Sequence, residues 1–189
     1  MKRAVILHAM DQNSQGHWYP WLKSQLETRG YEVWVPNLPH AEHPDTSEMT
    51  QFLLSNNIWS FQDNLIIGHS SGSVEVLYLL QALPVDVTVK TAVIVSPFDH
   101  PLPGMEQQHD RIFLTPLDLN RVQTRTEKLI FVHGDDDPWC PLDGAASLAR
   151  QTDGELVVVP GGKHFSTSLD PAYTTFPKLL EILDERGRL

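Results

Sequence analysis

The chain has 189 residues, 41% hydrophobic and 20% charged, which excludes a disordered segment and predicts one folded domain over residues 1–189. The formal net charge of −10 repels phosphate backbones and anionic lipid, so neither nucleic acid nor a membrane surface is an expected partner. The one cysteine, Cys140, allows no internal disulfide. No apolar run is long enough for a signal peptide or a membrane span, so the expected location is cytoplasmic.

Arg3 to His8 reads as a buried first strand, followed by a polar loop from Asp11 to Gly16. A helix is predicted from about His17 to Arg29. Trp18, Trp21, Leu22 and Leu26 share one face, Pro20 sits in the first turn and Gly30 ends it. Tyr31 to Val35 is a second strand, Pro36 to His40 a rigid loop, and Ser47 to Ser55 a second helix.

The most informative stretch is Leu65-Ile66-Ile67-Gly68-His69-Ser70-Ser71-Gly72-Ser73. An apolar strand runs into Gly-His-Ser-Ser-Gly. Val74, Val76, Leu77, Leu79 and Leu80 then read as a helix with a broad apolar face. This is the G-x-S-x-G pattern in a strand–turn–helix setting, a nucleophile elbow. Gly68 and Gly72 keep side chains out of a tight turn, and Ser70 projects above a helix N-terminus, whose free N–H groups suit a developing oxyanion.

Thr91 to Val95 is the next strand. An irregular segment rich in Pro, His and Asp runs from Ser96 to about Thr115, a length typical of functional or mobile loops. A short helix is predicted over Pro116 to Arg121. Lys128 to His133 is a strand, Leu142 to Arg150 a helix, Leu156 to Val159 the last strand, and Tyr173 to Arg186 the last helix. Strands and helices alternate throughout, which predicts an α/β fold with a parallel sheet of about six strands and helices on both faces. Ligands of such sheets bind beyond the carboxyl ends of the strands.

A serine hydroxyl needs a base to take its proton and a carboxylate to orient that base. In this architecture they follow the serine in the order acid, then histidine. His164, in the Gly-rich loop after the last strand, is the expected base. His133 ends an apolar strand and reads as structural, and His100 and His109 fall in the irregular segment. Asp137 is the favoured acid of the run Asp135-Asp136-Asp137, since Pro138 holds it extended and three adjacent carboxylates cannot all be buried. Asp99 is its rival. The oxyanion needs the N–H of Ser71 and a second N–H from the loop after the first strand, at Met10 or Ala9.

These residues resemble the α/β-hydrolase superfamily, and within it the small serine hydrolases of the retinoblastoma-binding-protein-9 and YdeN type. The elbow carries the superfamily likeness. His17-Trp18-Tyr19-Pro20-Trp21-Leu22 is similar to a His-Trp-x-x-Trp-Leu signature, Asn37-Leu38-Pro39 to a short Asn-Met-Pro-like segment, and Asp137-Pro138 and Gly162-Lys163-His164-Phe165 to the acid and base loops. The resemblance implies a three-layer hydrolase fold without a large lid domain and the triad Ser70, Asp137, His164. Relatives often carry Gly where this chain has Ala9, which bears on the shape of the oxyanion loop.

Trp139 and Phe98 are expected to touch substrate, the first beside the acid, the second in the segment after a strand end. His40, Glu42, His43 and Asp45 lack a fixed ligand spacing and read as a solvated loop rather than a metal site, and Cys140 reads as a packed small residue. The expected function is cleavage of a small ester or related acyl compound without metal or organic cofactor. The alternatives are a non-catalytic binding or regulatory protein on the same scaffold, and an acyltransferase.

Overall fold

A computed structural model describes all 189 residues. Strands β1 (Lys2–Leu7), β2 (Tyr31–Trp34), β3 (Leu65–His69), β4 (Thr91–Val95), β5 (Leu129–Gly134) and β6 (Glu155–Val159) form one sheet in the order β2-β1-β3-β4-β5-β6. Every pairing is parallel. Parallel strands buried on both faces need unbroken apolar runs, and β3 and β4 are buried at all five positions.

Side-chain alternation divides these strands between two cores. Ala4, Ile6, Leu65, Ile67, Val93 and Val95 face α1 (Tyr19–Glu27) and α6 (Pro177–Glu185). Val5, Leu7, Ile66, Ala92 and Ile94 face the other layer, built from α2 (Thr46–Leu54), α3 (Ser71–Ala82), α4 (Leu119–Gln123) and α5 (Leu142–Gln151). The result is the three-layer α/β architecture, one parallel six-stranded sheet with helices on both faces, expected from the alternating pattern. Because β1 lies between β2 and β3, the chain leaves β1 toward one side of the sheet and returns to the other. The loops after β1 and β3 therefore part at a topological switch point, where ligands of such sheets bind.

Most bounds fall within a residue of expectation, and four helices start elsewhere than expected. The first helix begins at Tyr19, not His17, because His17 takes a positive φ of 46° that no helix accommodates. The second begins at Thr46, where Asp45 caps the N–H groups of Ser47 and Glu48. The short helix over 116–121 shifts to Leu119–Gln123, because the Asp118 carboxylate caps it at Arg121 N–H. The last helix is divided. A single 3-10 turn covers Pro171–Thr174, and α6 starts only at Pro177, which keeps Phe176 out of helical geometry at φ −140° and ψ 67°.

Residues 96–115 carry no helix or strand, as expected, but they are tied down. Thr46 Oγ1 donates to Ile112 O at 2.9 Å, Tyr78 Oη donates to Thr115 O at 2.8 Å, and Arg111 Nε lies 2.7 Å from Asp45 Oδ2. Phe98, Leu102 and Ile112 bury themselves with Val74, Tyr78 and Cys140 in a third apolar cluster beneath the segment. No helix is long and apolar enough to cross a membrane.

Candidate active site

The elbow after β3 has the geometry its glycines predict. Ser70 has φ 54° and ψ −123°, a strained combination for a side-chain-bearing residue. A Cβ on Gly68 would strike the backbone of Gly72 and Ser73, and one on Gly72 would strike the carbonyl oxygens of Leu7 and His8. Only glycines let strand, turn and helix approach so closely. Ser70 N–H donates to Val95 O at 2.9 Å, which anchors the turn to β4. The Ser70 side chain caps nothing at the start of α3, so its hydroxyl is left for the cavity above.

The loop after β6 brings His164 over the same cavity. Its Nδ1 lies 2.7 Å from Asp137 Oδ2, with both side chains buried. The other oxygen, Asp137 Oδ1, accepts the N–H groups of Trp139 at 2.9 Å and Cys140 at 3.0 Å. Burial alone would raise the Asp137 carboxyl, but its bonds to His164 and to these two N–H groups outweigh it and hold the group below the ordinary carboxylate range. The bond at Nδ1 leaves Nε2 of His164 for the cavity that Ser70 also lines; no Ser70–His164 hydrogen bond is formed in the structure.

The rival carboxylate, Asp99, is engaged elsewhere. Its Oδ1 sits 2.6 Å from His100 Nδ1, and it packs toward Gly144 on α5. His133 is fully buried, with Nδ1 on Gly134 O at 2.8 Å and Nε2 3.9 Å from Asp137 Oδ2, behind the carboxylate rather than in the cavity. Asp135 and Asp136 face water, as expected of a turn, yet each also holds the base loop. Asp135 Oδ1 accepts Gly161 N–H at 2.8 Å and Asp136 Oδ1 accepts Lys163 N–H at 2.6 Å.

The loop after β1 is shaped by the Asn37-Leu38-Pro39 segment. His8 Nε2 accepts Leu38 N–H at 2.8 Å, and Asn37 Oδ1 accepts Ser14 N–H at 2.8 Å. Of the two residues expected to supply an oxyanion donor, Ala9 is already committed, since its N–H donates to Tyr19 Oη at 3.0 Å. The N–H groups of Met10 and Ser71 have no protein acceptor, and both residues line the cavity. Ser71 is the first residue of α3, where an N–H has no partner within the helix.

The cavity has a volume of about 260 Å³. Phe98, Leu102, Met105 and Cys140 line one side, and Trp139, 45% exposed, stands at the mouth with its ring centroid 4.9 Å from that of His164. Phe98 stacks on His109, whose ring lies 4.8 Å away. The sequence gives no site role to Gln12, to His17 of the first-helix signature or to His109 of the irregular segment, yet all three line the cavity. The His-Trp-x-x-Trp-Leu signature explains part of this. His17 Nδ1 sits 2.8 Å from Thr167 Oγ1, and Trp18 Nε1 donates to Phe165 O at 3.0 Å, so the two residues leading into α1 hold the base loop at two points.

Asp137, Cys140 and His164 also place donor atoms within 4.8 Å of one another. They fit a metal poorly. Carboxylate and imidazole are bonded to each other, and burial pushes the Cys140 thiol well up, which keeps it protonated, whereas a metal takes the thiolate. The group His40, Glu42, His43 and Asp45 does not converge. His43 Nε2 pairs with Asp110, His40 with Glu48, and Asp45 caps α2.

A parallel sheet with helices on both faces, and a serine on a strained strand-to-helix turn that shares a cavity with a carboxylate-bound histidine, define an α/β-hydrolase. The chain belongs to the serine hydrolase family, whose model matches residues 4–185. It is 27% identical over 188 residues to the putative hydrolase YdeN of Bacillus subtilis (strain 168), covering 96% of this chain and 94% of that one. Over 169 residues it is 22% identical to the serine hydrolase RBBP9 of Rattus norvegicus, covering 88% and 84% of the two chains. The crystal structure of the ydeN gene product from B. subtilis superposes with a TM-score of 0.88 at 25% identity, over 98% of each chain.

Proposed function

We propose that this serine hydrolase cleaves a small ester or related acyl compound through an acyl-enzyme on Ser70. The observation that carries the reading is the 2.7 Å bond from Asp137 to His164 Nδ1, which leaves Nε2 for the cavity lined by Ser70. In the first step His164 Nε2 takes the Ser70 proton as Oγ attacks the acyl carbonyl. Asp137 holds the ring in the tautomer with hydrogen on Nδ1 and stabilises the imidazolium. The carbonyl oxygen becomes an oxyanion that accepts from Met10 N–H and Ser71 N–H, at the positive end of α3. His164 then gives its proton to the leaving alkoxide, and the acyl group stays on Ser70. Water, deprotonated by the same nitrogen, attacks the acyl-enzyme; the bond to Ser70 Oγ breaks, the carboxylic acid leaves, and His164 returns the proton to Oγ.

Phe98 and Trp139 serve as apolar contacts for the substrate. A cavity of about 260 Å³, without an inserted lid domain, suits a short acyl chain. Hydrolysis of p-nitrophenyl acetate tests the reading. An initial burst of p-nitrophenol and an acetyl group on the peptide carrying Ser70 are expected. Turnover without acyl transfer to that peptide would point to direct attack by water.

A further inference from the structure

The hydrogen bonds beneath the cavity form a chain that the triad does not use. Ala9 N–H donates to Tyr19 Oη at 3.0 Å, Tyr19 Oη lies 2.8 Å from His69 Nδ1, and His69 Nε2 lies 2.8 Å from His164 O. The direction of every bond follows from its ends. A backbone carbonyl only accepts, so His69 Nε2 carries the hydrogen. A backbone N–H only donates, so Tyr19 Oη accepts from Ala9 and gives its own proton to a bare Nδ1. Tyr19 and His69 are fully buried, and Ala9 and His164 nearly so.

The chain touches three loops at chosen places. Ala9 precedes Met10, whose N–H is free. His69 precedes Ser70. His164 is bonded to Asp137 through its side chain and to His69 through its carbonyl. We propose that Tyr19 and His69 are positioning residues, which hold the oxyanion loop and the base loop in register with the elbow and keep the ring beside His164 uncharged. The inference rests on the proposed roles of Met10 and His164.

The second half of the proposal has an electrostatic reason. The groups facing the His69 ring are His17 and Trp18 from the turn before α1, Tyr19 at its first position and His164 from the base loop, with the His164 ring centroid 5.2 Å away. Burial, and then the positive charges that His164 and His17 can carry, hold His69 well below the usual imidazole range. The Tyr19 O–H donated to Nδ1 occupies the site where His69 would otherwise take a proton. Burial keeps the Tyr19 phenol protonated and able to donate. A neutral His69 is what permits His164 to become an imidazolium next to it.

Tyr19→Phe removes one oxygen and leaves the ring that fills the core, so it tests the chain with little loss of packing. For p-nitrophenyl acetate, kcat is expected to fall about 10- to 100-fold with KM within about twofold, as for a group that acts only in the transition state. The acid limb of kcat/KM should move to higher pH, because Nδ1 is then open to a proton. Adding His69→Gln, which cannot titrate and keeps an N–H for His164 O, should return that limb to its wild-type position. Imidazole 15N NMR reads the same point without activity: His69 should be the Nε2–H tautomer in the wild type and should titrate in Tyr19→Phe. Fluorophosphonate labelling of Ser70 in the wild type, measured alongside, separates a failure of the serine-hydrolase reading from a failure of this one. If Tyr19→Phe does not fold, His69→Gln within about threefold of wild-type kcat, against a loss of at least tenfold in His69→Leu, supports the same chain, and equal effects of the two overturn it. Tyr19→Phe with kcat within twofold of wild type, or with a lower kcat but an unmoved acid limb and His69 tautomer, would overturn the proposal.

Discussion

Gly134 at the end of β5 packs against the backbone of Lys163 so closely that a Cβ would meet Lys163 N at 2.6 Å and overlap its carbonyl oxygen. This contact sets the acid loop, which starts at Gly134, directly beneath the base loop, which carries His164. The Asp135 and Asp136 side chains then tie the two loops together through Gly161 and Lys163 N–H. Gly134→Ala should cost about 1–3 kcal/mol of stability, as overpacking against rigid backbone does. It should also lower kcat by displacing His164. Asp136→Ala should cost only about 1 kcal/mol, the net value of one hydrogen bond. Chemical denaturation of both variants checks the order, and a Gly134→Ala protein as stable as wild type would contradict it.

Asp137→Asn should reduce kcat by about 10⁴-fold, the loss produced by the same change in the chymotrypsin-type triad, because an amide favours the wrong tautomer of its histidine. Asp99→Asn should leave kcat within a fewfold, since Asp99 faces His100 and not His164. Steady-state kinetics on one ester decides between the two carboxylates, and a crippled Asp99→Asn beside a mild Asp137→Asn would reverse the assignment.

The fold was legible because buried parallel strands must be apolar throughout. Each of β1, β3, β4 and β5 stands out as a β-branched or aliphatic run between glycines and polar loops. The break before α6 also has a signal in Pro177, which disfavours helical geometry at Phe176. The elbow at Ser70 was readable from its glycines, and the pairing of Asp137 with His164 from chain order. What the sequence could not convey is contact across long separations. Tyr19 and His69 are 50 residues apart, and each alone looks like core. Nothing in the local pattern says that one hydroxyl accepts from Ala9 and donates to a histidine beside the elbow. Likewise Asp135 and Asp136 look like any solvated turn until the Gly-rich loop folds over them.

Five histidines carry a pH dependence of stability. Burial is the main cause that lowers His8, His69, His109 and His133, and burial with the neighbouring His164 takes His17 to about 4. Below the unfolded value of about 6.5, the unfolded chain binds protons that the folded protein refuses, so stability falls as pH falls. Each such proton is worth up to about 1.4 kcal/mol per pH unit. Glu75 works the other way. Burial raises its carboxyl well above the usual range, so the folded protein holds a proton that the unfolded chain loses above about 4.5. Five groups outweigh one, and Tm should drop steadily from pH 7 to pH 5. A Tm independent of pH over that interval would show that these rings titrate as freely in the folded protein as in the unfolded chain.

Substrate length should follow the cavity. Phe98, Leu102 and Met105 close one side, and the segment that carries them is fastened to α2 and α3 by Ile112 and Thr115. Among p-nitrophenyl esters, kcat/KM should peak at short acyl chains and decline toward long ones. Phe98→Ala should shift the peak to longer chains, while losing about 3–5 kcal/mol of stability because the ring is also buried core. Trp139→Ala, at the exposed mouth, should alter KM with little effect on stability. Specificity that rises continuously from acetate to palmitate would contradict a closed wall at Phe98.

The nucleophile is tested most directly by covalent labelling with a fluorophosphonate, followed by mass spectrometry of the digested protein. Ser70 sits on the strained elbow with an uncommitted hydroxyl, in the same cavity as the carboxylate-bound His164, and such a probe labels an activated serine of that kind. The wild-type protein should carry one label, on the peptide containing Ser70. Ser70→Ala, which removes the attacking oxygen and almost no volume, should carry none while melting at a temperature close to that of wild type. Undiminished labelling of Ser70→Ala, or a wild-type label on any other peptide, would contradict the account.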